Sequence, residues 1–175
     1  MKIFVKSRRW IKGHLEANPD WHHGKWIISI FSTDSQSPFL PRFNVLPLQF
    51  DDISERDVMD ADGLTFFDDN HAKQIYDFIK EIDANSDKPF YIHCDAGVSR
   101  SGAVGYMLNE WFNKFQKLNK IDNEFFKMEN NHIMPNPLVV RLLKNQFFGN
   151  DYKGVFINDY TYNEDGEKID HFEEI

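Results

Sequence analysis

The chain alternates between short, continuous apolar runs and longer segments in which apolar residues recur every three or four positions. Short runs rich in β-branched and aromatic residues are typical of buried strands, so strands are predicted at 25–31, 43–50 and 90–93. Pro47 weakens the second of these predictions, because proline cannot donate a hydrogen bond to a neighbouring strand. The polar residues between the strands predict loops, the longest of them at 51–69.

The helical period of three to four residues predicts four helices. Asp68, Asp69 or Asn70 would cap the first helix, since a side-chain oxygen there accepts hydrogen bonds from the amides of the first turn. Asn136 is likewise predicted to cap the last helix, with Pro137 at its first position. Strands that are followed by helices predict an α/β fold, with a small, mainly parallel central sheet flanked by helices. The four predicted helices cover 72–82, 103–118, 121–128 and 137–147.

The length of 175 residues suggests one domain. Eight acidic residues and two lysines fall within 151–175, and acidic chain ends of this kind are commonly solvated. We therefore expect a single domain over 1–150 and an acidic C-terminal extension over 151–175. The apolar residues at 155–157 predict one added strand in that extension, ahead of a flexible tail.

The composition excludes several classes of protein. With 20 basic and 28 acidic residues the formal net charge is −8, which argues against nucleic-acid binding, because phosphate backbones require a basic surface. No apolar run is long enough to span a membrane, and the first residues lack the apolar core of a signal peptide. The single cysteine, Cys94, excludes an intramolecular disulfide and a cysteine-rich zinc site. We expect a cytoplasmic protein without nucleic-acid or membrane partners.

Basic residues are concentrated near the N-terminus, where 1–15 holds five of them and no acidic residue. Such a cluster is able to bind an acidic partner or a phosphorylated substrate. The preferred interpretation is a solvated strand edge, because charged side chains often protect the edges of sheets. The five basic residues are Lys2, Lys6, Arg8, Arg9 and Lys12.

The candidate chemistry is concentrated between His93 and Gly102, where the third strand is followed by the longest helix. A tight loop between a strand and a helix gathers backbone N–H groups at the positive end of the helix, where a tetrahedral oxyanion binds. Cys94 at the start of this loop would be stabilised as a thiolate by the same field. Arg100 would bind two phosphate oxygens at once, and Gly97 supplies the backbone freedom that such a loop needs.

A buried and chemically inert cysteine is the commoner role for a lone cysteine in an apolar stretch. The residues that follow Cys94, however, are mostly polar residues and glycines, which do not build an apolar core. The same residues supply the elements of a phosphate-binding loop. A nucleophile is therefore the preferred interpretation of Cys94.

The order His-Cys, five residues and Arg-Ser-Gly over 93–102 resembles the signature of the cysteine-dependent protein tyrosine phosphatases. The run Ala-Gly-Val-Ser-Arg-Ser is most similar to the dual-specificity branch, of the bacterial or viral type. A Pro-Asn pair ahead of the last predicted helix also matches the family, and the resemblance extends over 25–148. It implies the three-layer α/β fold of these phosphatases.

The resemblance also implies roles for particular residues. Cys94 would attack phosphorus, Arg100 would hold the phosphate oxygens, and Ser101 would hydrogen-bond the thiolate and assist the second step. His93 would orient the loop as a hydrogen-bond donor, and Asn136 would support the site. No metal and no cofactor is implied, because Arg100 and the loop amides supply the positive field. The other substrate-binding positions are Asp95, Ala96, Gly97, Val98 and Ser99.

The general acid that would protonate the leaving oxygen has two pairs of candidates. Asp51 and Asp52 follow the strand at 43–50, as the acid loop of the family follows its strand. Asp68 and Asp69 lie where a helix cap is expected, and capping is the commoner role at such a position. We assign the acid to Asp52, with Asp51 as the alternative.

The resemblance implies a tyrosine or dual-specificity phosphatase, which hydrolyses phosphotyrosine, with phosphoserine and phosphothreonine as further candidates, through a cysteinyl-phosphate. The expected partner is a phosphorylated protein or peptide, bound by a monomer. A phosphatase for phosphoinositides or RNA 5′ ends is one alternative, although the loop lacks lysine and Asp95 would oppose a polyanion. A second alternative is a phosphate-binding module that does not turn over substrate. A third is a rhodanese-like arsenate reductase, but the sequence of the loop argues against it.

Overall fold

The computed structural model describes residues 1–53 and 62–149, together with two short strands at 161–162 and 168–169. A parallel sheet lies at its centre, and helices cover the sheet. In chain order the elements are β1 (Ile3–Ser7), α1 (Arg8–Ala17), β2 (Trp26–Phe31), β3 (Val45–Gln49), α2 (Asp69–Ile79), β4 (Phe90–Cys94), α3 (Arg100–Asn109), a π-helical segment (Glu110–Gln116), α4 (Lys120–Glu129), α5 (Pro137–Phe148), β5 (Thr161–Tyr162) and β6 (Lys168–Ile169).

Four parallel strands form the central sheet in the order β1, β4, β2, β3. The three predicted strands are confirmed as β2, β3 and β4, and the predicted parallel sheet is confirmed with them. Pro47 lies in β3, an edge strand, where a missing N–H group is tolerated. Because all four strands run in the same direction, their carboxyl ends share one edge of the sheet, where Ser7 is the register partner of Cys94.

Two apolar clusters cover the two faces of the sheet. The larger cluster packs strand residues such as Ile28 and Ile92 against α2, α3 and α5, with Met107 of α3 among its members. The smaller cluster joins Ile11 of α1 to Ile27 of β2. Because successive side chains of a strand point to opposite faces, Ile27 and Ile28 belong to different clusters. The predicted α/β architecture, with helices on both faces of the sheet, is confirmed.

The N-terminal strand and helix, β1 and α1, are not among the predicted elements, because their few apolar residues are mixed with basic ones. The interpretation of the basic cluster as a strand edge is correct for Lys6, which lies in β1 at the end of the sheet. It is wrong for Arg8, Arg9 and Lys12, which belong to α1. The strand-to-helix change at Ser7 therefore brings cations to the carboxyl edge of the sheet.

The outer edge of β1 is covered by Asn130, which directly follows α4. Its Oδ1 accepts a hydrogen bond from the N–H of Val5 (2.7 Å), and its Nδ2 donates to the carbonyl of Ile3 (3.0 Å). Lys6 forms a salt bridge with Glu129 at 2.5 Å. The edge of the sheet is thus occupied by side chains of the same chain, which is one way to prevent the addition of another strand.

The helices predicted over 72–82, 121–128 and 137–147 are confirmed as α2, α4 and α5, with small differences at their ends, and the one predicted over 103–118 is confirmed as an α-helix only for its first part, in α3. Asp68 caps α2: its side chain accepts from the N–H of His71 (2.9 Å), while the N–H of Asp68 donates to His71 Nδ1 (3.3 Å). Asn136 caps α5 by accepting from the N–H groups of Leu138 (3.0 Å) and Val139 (3.3 Å). Both predictions of helix starts are therefore confirmed.

The helix predicted over 103–118 begins at Arg100 and continues as the π-helical segment Glu110–Gln116. In a π-helix the hydrogen bonds run from i to i+5, so that a turn takes more residues than in an α-helix. The apolar pattern therefore goes out of register with the core. Phe115 in this segment and Leu118, which follows it, are 52% and 74% exposed.

In the acidic extension, β5 and β6 form an antiparallel pair in which Thr161 lies opposite Ile169. The strand predicted at 155–157 lies outside the described residues. Among the helices that the structure describes, none combines the length and the apolar character required to cross a bilayer.

Candidate active site

Cys94 is the last residue of β4, and the loop that follows leads into α3 at Arg100. We refer to residues 94–100 as the Cys94 loop. β4 is a central strand, so a parallel strand on each side holds the start of the loop in place. The side chain of Cys94 is buried, with 2% of its surface exposed. The fold therefore places the sulfur at the carboxyl edge of the sheet, next to the amino end of α3.

Two hydrogen-bonding groups contact the sulfur of Cys94. The N–H of Gly97 donates to Sγ at 3.3 Å, and the hydroxyl oxygen of Ser101 lies 3.1 Å from Sγ. Ser101 is in the first turn of α3 and is fully buried. Both groups are placed to donate to sulfur when it is ionised.

The amino end of α3 is open toward the Cys94 loop. Ser99 occupies the N-cap position, but its hydroxyl donates to Asp52 at 2.7 Å and makes no cap hydrogen bond to the helix. First-turn N–H groups without a side-chain cap bind oxyanions, which the helix dipole also favours. The arrangement is therefore able to hold a phosphate group beside Cys94.

Arg100 is 4% exposed and is held by three acceptors. Its Nη1 donates to the carbonyl of Phe50 (2.8 Å) and to the hydroxyl of Ser32 (3.0 Å), and its Nη2 donates to Oδ2 of Asp95 (2.5 Å). Its Nε is buried and has no hydrogen-bond partner among the described residues. A buried donor without a partner is costly, so an anion in the loop would satisfy this N–H.

Asp95 connects the Cys94 loop to two other parts of the chain. Its carboxylate accepts from Arg100, from Arg8 (2.9 Å) and from the hydroxyl of Ser32 (2.9 Å). Burial alone would raise the pKa of Asp95, but the hydrogen bonds from Arg100 and Ser32 and the charges of both arginines outweigh it and hold the pKa below its usual value. Asp95 is therefore a charged anchor of the loop.

Gly97 packs against the junction between β1 and α1. Its φ of +78° lies in the left-handed region that favours glycine. A Cβ at this position would lie 2.5 Å from the carbonyl carbon of Lys6 and 2.6 Å from the nitrogen of Ser7. Glycine is thus required for the backbone conformation and for the close approach, and the N-terminal strand forms one wall of the site.

Asp52 is exposed and contacts the Cys94 loop at Ser99. Its Oδ1 accepts from the Ser99 hydroxyl (2.7 Å) and from Nδ2 of Asn136 (2.9 Å). Asn136 also donates from Nδ2 to the carbonyl of Ile53 (3.1 Å) and from its N–H to the carbonyl of Ser99 (3.3 Å). The structure thus brings Asp52 and Asn136 together at the Cys94 loop.

Asp51 is buried and is held by two threonines. Its carboxylate accepts from the N–H (3.1 Å) and the hydroxyl of Thr33 and from the N–H of Thr65 (2.8 Å). Burial alone would raise the pKa of Asp51, but these hydrogen bonds and the charge of Arg100 hold the pKa below its usual value. A carboxylate with three donors stabilises the loops around it, so Asp52 is the more available of the two acids.

Asp51→Asn is expected to lower the free energy of unfolding by about 1–3 kcal/mol at pH 7, because an amide cannot accept all three hydrogen bonds. A carboxyl group whose pKa is depressed by folding stabilises the folded state above its unfolded pKa, and this contribution is lost as the pH falls through the folded pKa. The difference between wild type and variant should therefore shrink below about pH 4.

Urea unfolding at pH 7 and at pH 3 measures this difference. Asp34→Asn is the matched control, since it makes the same change at an exposed aspartate, and its stability should equal that of the wild type at both pH values. A destabilisation by Asp51→Asn that is equally large at pH 3 would contradict the role assigned to the ionised carboxylate.

His93 is fully buried in β4. Burial lowers its pKa to about 4, although the backbone of Cys94 partly offsets this effect, so the ring is neutral at neutral pH. Neither ring nitrogen makes a well-formed hydrogen bond to a described residue. The predicted hydrogen-bond donation from the His93 ring to the loop is therefore not observed, and the centroid of the ring lies 6.0 Å from that of Phe39.

The cationic groups of the candidate site are the guanidinium groups of Arg100 and Arg8 and the amino end of α3, and Asp95 pairs with both arginines. Such a set binds an anion, and a guanidinium group suits phosphate because it offers paired donors. Over 1–53 and 62–149, no three His, Cys, Asp or Glu side chains lie close enough together to hold a metal ion.

Several residues of the site are not assigned to it by the sequence, which places Arg8 only in the basic N-terminal cluster. Arg8 follows β1, Ser32 follows β2, and Thr33 and Thr65 bind Asp51. Loops that follow the parallel strands of one sheet meet at its carboxyl edge, which is why Arg8 and Ser32 reach the Cys94 loop. The signal that would identify them is the order of the strands, and no local pattern in the sequence contains that order.

Comparison with known proteins rests on structure. No family model matches the sequence, and no match to a curated protein is found. The human tyrosine phosphatase-like serine/threonine/tyrosine-interacting protein is 18% identical, with a TM-score of 0.53 over 82% of this chain and 89% of that chain. The PTP-2 phosphatase of Cydia pomonella is also 18% identical, with a TM-score of 0.51 over 83% of this chain and 85% of that chain.

The protein therefore has the fold of the cysteine-dependent protein tyrosine phosphatases, as the sequence of its Cys94 loop implies. That loop resembles the dual-specificity branch of the superfamily.

Proposed function

We propose that the protein hydrolyses phosphate monoesters on phosphorylated proteins or peptides, with phosphotyrosine as the substrate residue and phosphoserine and phosphothreonine as further candidates. The observation that carries this proposal is the set of groups around Cys94: the N–H of Gly97, the hydroxyl of Ser101 and the Nε of Arg100, which has no partner among the described residues. The fold shared with the PTP-2 phosphatase of Cydia pomonella supports the same class of reaction.

In the first step the thiolate of Cys94 attacks phosphorus, so that a sulfur–phosphorus bond forms and the bond to the leaving oxygen breaks. Arg100 and the first-turn amides of α3 hold the remaining phosphate oxygens while charge is redistributed among them. Asp52 donates its proton to the leaving oxygen, which departs as a neutral phenol or alcohol. The product on the enzyme is a cysteinyl-phosphate.

In the second step water attacks phosphorus and the sulfur–phosphorus bond breaks. Asp52, now a carboxylate, accepts a proton from the attacking water. The hydroxyl of Ser101, 3.1 Å from Sγ, donates a hydrogen bond to the departing thiolate. Inorganic phosphate is released, and Cys94 is again available as a thiolate.

Asp52→Asn is expected to lower kcat for phenyl phosphate by about 10²–10³-fold, which is within the usual contribution of a general acid. Phenyl phosphate is a sensitive substrate, because its leaving oxygen requires a proton more than that of p-nitrophenyl phosphate does. The wild-type rate should fall on the alkaline side of the pH–rate profile, where the acid is ionised. The variant should lack this limb.

Asp69→Asn is the matched control, because Asp69 is an exposed aspartate in the first turn of α2, outside the site. This variant should keep both the turnover and the alkaline limb. Unchanged turnover and an unchanged profile in Asp52→Asn would contradict the assignment. Loss of the limb in Asp51→Asn alone would transfer the role of acid to Asp51.

The substrate class is tested by comparing a phosphotyrosine peptide, a phosphoserine peptide and a soluble phosphoinositide in buffer with EDTA. The proposal expects the highest kcat/KM for the phosphotyrosine peptide. A higher value for the phosphoinositide would contradict the proposed protein substrate, and a requirement for added divalent metal would contradict the cysteine mechanism. Phosphate binding without turnover of any substrate would indicate a binding module instead.

A further inference from the structure

Arg8, the first residue of α1, contacts the Cys94 loop although it is distant in sequence. Its Nη2 donates to Oδ1 of Asp95 (2.9 Å) and to the hydroxyl of Ser35 (2.9 Å), and its backbone N–H donates to the carbonyl of Asp95 (3.2 Å). The Arg8 side chain is only 17% exposed. These contacts hold the guanidinium group between Asp95 and the segment that follows β2.

Asp95 is shared between two arginines. Oδ2 accepts from Nη2 of Arg100 (2.5 Å), and Oδ1 accepts from Arg8. Ser32 donates to Asp95 (2.9 Å) and accepts from Nη1 of Arg100 (3.0 Å), which closes the group. The contacts fix both terminal nitrogens of Arg100 and leave its Nε without a partner among the described residues.

The carboxylate of Asp95 also opposes the binding of an anion. A phosphate group bound by Arg100 would lie near Asp95, and like charges at short distance repel. The Asp95 side chain is 41% exposed, so solvent screens part of this repulsion. Asp95 thus orients Arg100 but weakens its attraction for phosphate. Arg8 contacts the other oxygen of the same carboxylate and offsets this negative charge.

We propose that Arg8 is a positioning residue of the active site, which allows Asp95 to orient Arg100 without repelling the phosphate group of the substrate. This inference rests on the proposed function, in which the anion held by the Cys94 loop is a phosphate ester. Removal of Arg8 leaves Oδ1 of Asp95 without its cation beside the phosphate, while Oδ2 stays paired with Arg100. Arg8 therefore acts through Asp95.

A double-mutant cycle on the affinity for inorganic phosphate tests the proposal by calorimetry. We expect Arg8→Ala to weaken phosphate binding by about tenfold. Asp95→Asn keeps the shape of the side chain and removes its charge, so in that background Arg8→Ala should change the affinity by less than about twofold. Arg8→Lys retains the charge and should recover most of the affinity.

Arg9→Ala is the matched control, because it removes an exposed cation from the same helical turn. Arg9 forms no salt bridge with a carboxylate in the described part of the chain. This variant should bind phosphate with an affinity within about twofold of the wild type. In Arg8→Ala, KM for p-nitrophenyl phosphate should rise in parallel with the loss of phosphate affinity, whereas kcat should change less.

Equal losses from Arg8→Ala in the two backgrounds would show that Arg8 acts through stability or overall charge, and would overturn the proposal. An equal loss in Arg9→Ala, or a wild type that does not bind phosphate, would also overturn it. Phosphate binding with the expected coupling but without hydrolysis of p-nitrophenyl phosphate would leave this inference standing and contradict the proposed function.

Discussion

Cys94→Ser should lower kcat for p-nitrophenyl phosphate by at least about 10³-fold, because a hydroxyl ionises much less readily than a thiol and is the weaker nucleophile. The serine oxygen would keep the neighbours of the sulfur, namely the N–H of Gly97 and the hydroxyl of Ser101. The fold and the phosphate-binding groups should therefore remain. The expected result is a folded protein that binds phosphate and does not turn over substrate.

Two measurements separate loss of the nucleophile from loss of the fold. The Tm and the affinity for inorganic phosphate should both stay close to the wild-type values in Cys94→Ser. A quenched reaction of Asp52→Asn with p-nitrophenyl phosphate should show phosphate on Cys94 by mass spectrometry, because this good leaving group needs the acid least. Hydrolysis by Cys94→Ser at the wild-type rate would contradict the proposed mechanism.

Gly97→Ala should lower the free energy of unfolding by about 2–4 kcal/mol and kcat by about 10²-fold or more. An L-residue is strained at a φ of +78°, and the new methyl group would lie 2.5–2.7 Å from backbone atoms of Lys6 and Ser7. Backbone atoms of a paired strand cannot move aside as the end of a side chain can. The loop must therefore shift, which disturbs the 3.3 Å contact between the Gly97 N–H and Cys94.

Gly24→Ala separates the two causes of this effect. Gly24 has a similar φ of +70°, but a Cβ there would meet no atom within 4 Å. Its replacement should cost about 1 kcal/mol from backbone strain alone and leave kcat unchanged. Chemical denaturation and steady-state kinetics on both variants measure the difference. Equal effects of the two substitutions would show that the close packing of Gly97 on β1 is unimportant.

The local patterns of the sequence predict β2, β3, β4 and the helices α2 to α5, because apolar spacing and capping residues act over a few neighbouring positions. Asp68 and Asn136 are examples, since each caps the helix for which it was proposed. The position of the Cys94 loop is also predicted by the local sequence. Its cysteine, glycine and arginine lie in one continuous segment between a strand and a helix.

The different roles of Asp51 and Asp52 depend on contacts that a local sequence pattern does not contain. The two acids are adjacent, and both follow β3. Asp51 accepts hydrogen bonds from Thr33 and Thr65, which lie 18 and 14 residues away in sequence. Asp52 instead meets Asn136, which is 84 residues away. The sequence favours Asp52 only through its resemblance to the family, whereas the contacts that separate the two aspartates come from distant partners.

The sequence by itself therefore determined the α/β class, most of the elements and the position of the Cys94 loop at the start of a helix. Only the tertiary structure decided that β1 lies beside β4, that Arg8 meets Asp95, and that Gly97 packs on the backbone of Lys6 and Ser7. The reason is physical. The pairing of distant strands depends on how the whole chain buries its apolar surface and satisfies its backbone hydrogen bonds, whereas a local pattern reflects only its neighbours.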